Sequence, residues 1–285
     1  MRFSSRLAGT AALVLAPLSY SHAQNAGKTL AMDFRMTNSL AGTPDTGVIV
    51  GHALGGADKM RLDLQMKGAG AQVSPVADSA VSMIVTDSGR TITYLDAKRS
   101  QFLRVKPAEM VAQAQQSGAV KIDFSGTEAK VDNLGAGPAI LGHPTSHYRL
   151  TTGMTMTISA MGQMQTVKIA STNDSYYATD IKEALNPFAS LTGGDMANVF
   201  ATTNKDFADK MKAAQAKLPR ATPLRAFNSA TMVSQGATRV TNSAVEVTAL
   251  QWVASDPKAF DVPATYTAGQ LPGMGGSSGG AIPPQ

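Results

Sequence analysis

Hydrophobic and polar side chains alternate along most of this chain, and a period of two predicts strands with one apolar and one wet face. Residues 28–37 (KTLAMDFRMT) set Leu30, Met32, Phe34 and Met36 against Thr29, Ala31, Asp33 and Arg35. Residues 59–67 (KMRLDLQMK) repeat the pattern, with Met60, Leu62, Leu64 and Met66 inside. Residues 48–54 lie between these two runs, bounded by the turn AGTPDTG (41–47) and by Gly55-Gly56, so the three segments read as an antiparallel meander. Strands over 81–86 and 90–96 flank Asp87-Ser88-Gly89, and another follows over 101–105. Pro107 with Glu109 opens a short helix to Gln116, and residues 121–134 return to strand.

The stretch 138–170 organises the rest. Met154, Met156 and Ile158 alternate with Thr155, Thr157 and Ser159, and Met161-Gly162-Gln163-Met164 interrupts as a hairpin turn before a partner strand over 165–169. After Ala170 the pattern lengthens to about 3.6, which predicts a short helix over 181–186 behind Asp180 and a better one over 205–218 capped by Asn204. Phe207, Met211, Ala214 and Leu218 form its apolar stripe. Residues 223–234 and 237–254 are the last strands, joined at Gln235-Gly236.

The first residues change the picture of where this fold works. Arg2 and Arg6, the apolar run 7–18 and Ser21-His22-Ala23 read as a signal peptide over 1–23, too short to cross a bilayer. One β-rich domain is expected over 24–270 and a disordered Gly/Ser/Pro tail over 271–285. The expected location is the periplasm or outside the cell. The chain has no cysteine, so an ordinary core must hold it. The formal charge of +5 falls to about +3 without Arg2 and Arg6, and its basic residues are scattered, so no nucleic-acid partner is expected. No membrane span follows the leader.

Candidate chemistry is sparse. The 15 methionines fill a core, line a flexible apolar ligand, or in Met154-x-Met156 with Met161-x-x-Met164 offer soft ligands to Cu(I). No cysteine or well-placed histidine joins that group, so no metal and no cofactor are expected. His143 and His147 are four apart, but Pro144 and the strand pattern argue against a helical metal pair, and a structural role is expected. No nucleophile elbow, phosphate loop or zinc-protease motif occurs, and no enzyme is expected.

Three segments resemble a known superfamily: residues 90–105 (RTITYLDAKRSQFLRV), residues 140–148 (ILGHPTSHY), and the closing turn from Asp256-Pro257 to Phe260-x-Val262-Pro263. They are similar to the periplasmic lipoprotein-carrier (LolA-like) proteins and their relatives of unassigned function. The resemblance implies a mainly β fold with some α: a strongly curved antiparallel sheet, a half-barrel, whose concave face is closed by two or three helices. It implies a non-catalytic carrier of an apolar ligand, a lipid or acyl chain. The inward-facing candidates are Met32, Phe34, Leu62, Leu64, Met154, Met156 and Ile158. The competing expectation is a structural or interaction protein of the cell envelope with a fully packed core and a protein partner.

Overall fold

The computed structural model describes residues 27–40, 47–56, 58–67, 81–116, 120–160, 163–182, 185–188 and 204–269. The signal peptide 1–23, the loop 68–79, Met161-Gly162 and the tail 271–285 lie outside them. The strands are β1 (Lys28–Leu40), β2 (Gly47–Gly55), β3 (Met60–Lys67), β4 (Val81–Thr86), β5 (Thr91–Asp96) and β6 (Gln101–Val105). They continue as β7 (Val120–Ile140), β8 (His143–Ala160), β9 (Gln163–Ala178), β10 (Pro223–Ser234), β11 (Ala237–Ala254) and β12 (Thr267–Ala268). Among the described residues two α-helices have defined bounds, α1 (Pro107–Gln116) and α2 (Lys205–Gln215).

All twelve strands join one open sheet in the order β12-β6-β5-β4-β3-β2-β1-β11-β10-β9-β8-β7. Every neighbouring pair is antiparallel except β12 with β6. The connection through α1 shows that the sheet must bend. It runs from β6 near one edge to β7 at the other, ten interstrand steps that would span about 48 Å if laid flat. The ten-residue helix reaches about 15 Å and its few flanking residues about as much again. The chain can cover that path only if the sheet curls and draws its edges together.

Local chemistry explains the joints. β10 and β11 are closed by Gln235-Gly236, both at positive φ (50° and 79°), which matches the turn whose twist suits a two-residue hairpin. Leu141-Gly142 (φ 53° and 83°) does the same between β7 and β8.

Alternation then sorts the sheet into two faces. On the inner face Leu30, Met32, Phe34, Met36, Ala53, Met60, Leu62, Leu64, Met83 and Val85 pack with Val245 and Val247 into one cluster. Ile181, Leu185 and Phe188 plug it from the segment after β9, Phe188 meeting Phe34 edge-on at 5.7 Å. A second cluster forms at the far end of β8 and β9, where Met156 and Val167 take Phe207 and Met211 of α2. Between them the same face is polar, with Ser171 bonded to Thr152 (2.7 Å) and Ser175 to Asn173 (2.5 Å).

Three expectations are corrected. Among the described residues two or three helices do not close the concave side: the larger cluster meets Ile181, Leu185 and the helical pair Pro187-Phe188, while α2 lies on β7 and the second cluster. The mainly β part of the expectation stands and the helical closure falls. The helix expected over 181–186 is absent, since Ile181, Lys182, Leu185 and Asn186 are not helical. Six residues before a proline are too few to repay helix nucleation, and the amide of Leu185 donates instead to Thr222 Oγ1 at 3.2 Å. Finally, β9 runs on to Ala178 rather than ending near Ile169. Residues 171–175 are polar on both faces, so no hydrophobic alternation marked them, and pairing with β8 and β10 decides their state.

Candidate functional site

The seven cavity-lining candidates fall into two groups that do not meet. Met32, Phe34, Leu62 and Leu64 are in the larger cluster, exposed by 1%, 2%, 0% and 8% of their surface, and are packed against protein. Met154, Met156 and Ile158 are in the second cluster. There the cover is incomplete. Met156 and Val167 are buried beneath Phe207 and Met211, but Ile122, Phe124, Ala129, Met154, Ile158 and Ile169 are only half-buried around the rim of α2.

The position of α2 follows from local bonds. Asn204 Oδ1 accepts from the Phe207 amide (2.9 Å), which fixes the first turn and the inward aim of Phe207. Thr127 on β7 donates to Asp206, and Lys210 Nζ donates to Asp206 (2.8 Å) and to the Thr127 carbonyl (2.9 Å). These bonds to Lys210 and Thr127 hold the Asp206 carboxyl below its ordinary range. Two anchors on the solvent side, Asp206 and Lys210, fasten the helix to β7 beside the apolar cluster.

Cu(I) ligation by the methionines finds no support in this geometry. Met154 turns inward, whereas Met164 is 74% exposed and sits on the opposite face of the hairpin, and Met161 lies outside the described residues. Among the described residues no group of three or more His, Cys, Asp or Glu side chains gathers to hold a metal ion.

The outer face holds the polar constellations that sequence spacing could not reveal. Each described histidine meets an aspartate from a distant strand or turn: His52 Nδ1 with Asp33 Oδ1 at 2.7 Å, His143 Nδ1 with Asp180 Oδ2 at 2.9 Å, His147 Nε2 with Asp174 Oδ1 at 3.0 Å. The first of these belongs to a row across four strands, in which Asp33, His52, Asp63 and Ser82 are direct cross-strand partners. Burial pushes the Asp63 carboxyl up, but hydrogen bonds from Arg61 and Ser82 outweigh it and hold Asp63 below its ordinary value.

The richest of these constellations surrounds Asp174. Arg149 grips it with two bonds, Nε to Oδ1 at 2.9 Å and an η nitrogen to Oδ2 at 3.0 Å. Here too burial raises the carboxyl while the bonds from Arg149 and His147 lower it further. The His147 ring stacks on Tyr176 (centroids 4.3 Å apart, planes 13° apart), and Tyr176 meets Phe227 edge-on at 6.4 Å. Beside Asp174 a hollow of about 300 Å³ opens over β9, β10, β11 and β1. Thr37, Ser39, Thr172, Ser229 and Asn242 line it, with the Phe227 ring 46% exposed.

Comparison with known proteins finds distant structural likenesses only. No protein-family model and no curated protein sequence matches. Among solved structures, PNGF-II is 12% identical with a TM-score of 0.33, over 86% of this chain and 31% of that one. The chain thus spans about a third of the PNGF-II length. A Vibrio parahaemolyticus domain named for outer membrane lipoprotein sorting is 8% identical with a TM-score of 0.29, over 84% of this chain and 92% of that one. At TM-scores this low the two likenesses fix neither a fold family nor an activity.

Proposed function

We propose that this chain is a non-catalytic, exported envelope protein that holds an apolar ligand, a lipid tail or acyl chain, between α2 and the inner face of β7, β8 and β9. The observation that carries the reading is the rim of half-buried apolar side chains around α2: Ile122, Met154, Ile158 and Ile169 pack against Phe207 and Met211 and keep part of their surface open. Burying an acyl chain there gains about 0.8 kcal/mol per methylene. Met154, Met156 and Met211 have the unbranched, adaptable shape that fits chains of differing length. The leader read in residues 1–23 supports the envelope location.

A second reading has its own observation. Met32, Phe34, Leu62 and Leu64 are close-packed, as in a structural or interaction protein whose core has no room for a guest. Extraction of the purified protein for mass spectrometry, followed by titration with a fluorescent fatty acid, separates the two. The carrier reading expects co-purifying acyl species, saturable uptake, and at least tenfold weaker uptake in Met154→Glu and Ile158→Glu. Met164→Glu on the far face serves as the control and should bind as the parent does. A clean protein that takes up no fatty acid overturns the carrier reading and leaves the packed-core one.

A further inference from the structure

We infer that the outer face of the sheet carries a separate site for a neutral oligosaccharide, at the hollow between Asp174 and Phe227. The hollow lies on the opposite face from the apolar strip under α2, so it does not depend on the carrier reading. Its volume of about 300 Å³ is at the low end for small-ligand sites. It crosses β9, β10, β11 and β1, three interstrand steps or about 14 Å, which is longer than a single sugar ring.

The chemistry of the lining selects the ligand class. Thr37, Ser39, Thr172 and Ser229 each offer one donor and two acceptor positions, and the Asn242 amide offers both. A purely apolar guest would strip water from these groups without replacing it, which is costly. A charged guest finds no uncompensated partner. Asp174 is the one charged side chain of the lining and is neutralised by Arg149, and the nearest charges, one row along the same face, are Arg225 paired with Glu246 and Arg35 on the other side of that carboxylate. A polyhydroxylated, uncharged ring satisfies both demands. Its C–H face lies on the exposed Phe227 ring, and its hydroxyls meet the threonines, serines, Asn242 and the one lone pair that Asp174 keeps on Oδ2.

The platform is also built to stay in place. Strand pairing fixes Phe227 directly opposite Asp174 on one side and Ala244 on the other, and the small alanine leaves the ring face open. Tyr176, braced by its stack on His147, meets the Phe227 ring edge-on and prevents it from folding down onto the sheet. A pre-set aromatic plane with fixed polar neighbours loses little entropy on binding.

The test uses the full mature protein, screened on an array of neutral and anionic oligosaccharides and then titrated calorimetrically with cello-, chito- and maltotetraose. Binding of at least one neutral oligosaccharide is expected, with a Kd of about 0.1–1 mM. Phe227→Ala and Asn242→Ala should each weaken it about tenfold. Both side chains are exposed, so thermal midpoints should match the parent, and Met154→Glu should bind the sugar normally. The inference is overturned if no neutral sugar binds, if anionic glycans are preferred, or if Phe227→Ala and Asn242→Ala bind like the parent.

Discussion

Gly51→Ala is the sharpest test of how the inner face is packed. Phe34 and Gly51 are direct cross-strand partners on β1 and β2, and the Phe34 ring lies flat across the glycine. A methyl group on Gly51 would stand 2.7 and 2.8 Å from the ring's Cε1 and Cε2 atoms and closer still to Cζ, where ordinary contact begins near 3.4 Å. The ring must retreat by about an ångström, yet it is 2% exposed and met edge-on by Phe188. Overpacking of this kind costs about 1–3 kcal/mol. Removing a strand glycine returns at most about 1 kcal/mol, so the net loss should be about 1–2 kcal/mol. That lowers the midpoint by about 2–8 °C for a domain of this size. The assay is denaturant unfolding followed by the fluorescence of Trp252, the single tryptophan, which packs against this same cluster. Phe34→Leu alone should also destabilise, but in combination with Gly51→Ala the smaller side chain makes room. The double variant should therefore be more stable than the sum of the two losses predicts, by about 1 kcal/mol. Additive losses, or a Gly51→Ala protein within about 0.5 kcal/mol of the parent, refute the reasoning.

Other outcomes follow from single bonds. Asn204→Ala removes the cap of α2 and should cost about 1 kcal/mol, read as faster amide exchange confined to residues 205–215. The Asp174 carboxyl is held below its ordinary value, so its stabilising bonds are fully present above about pH 4 and are lost as pH falls through the depressed folded value. Asp174→Asn should therefore destabilise at pH 7 by about 1 kcal/mol and flatten the acid limb of the stability curve, which thermal melts between pH 2 and pH 7 would reveal. Gly137→Ala places a methyl group 2.5 Å from Thr145 Oγ1, which is buried and donates to the Pro138 carbonyl at 2.7 Å. A drop in the melting midpoint of several degrees is expected, and an unchanged midpoint would show that this end of the β7–β8 hairpin yields.

What the chain determines by itself is the set of strands and their inner sides. Leu30, Met32, Phe34 and Met36, or Met60, Leu62 and Leu64, alternate so strictly that a strand with those residues inside is the only economical solution, and all seven are buried. The turns at Gln235-Gly236 and Asp87-Ser88-Gly89 were equally legible, because a glycine between two alternating runs is a local signal. Tertiary structure alone decided the remainder, for a consistent reason: it depends on partners far away in sequence. The polar end of β9 becomes a strand through its neighbours on both sides. The methionine runs, identical in pattern, separate into two clusters because β1–β4 and β8–β9 lie apart in the order of the sheet. The Asp174 constellation draws His147 and Arg149 from β8, Phe227 from β10 and Asn242 from β11. Periodicity tells each residue which side it faces, but only the order and register of strands tell it whom it meets.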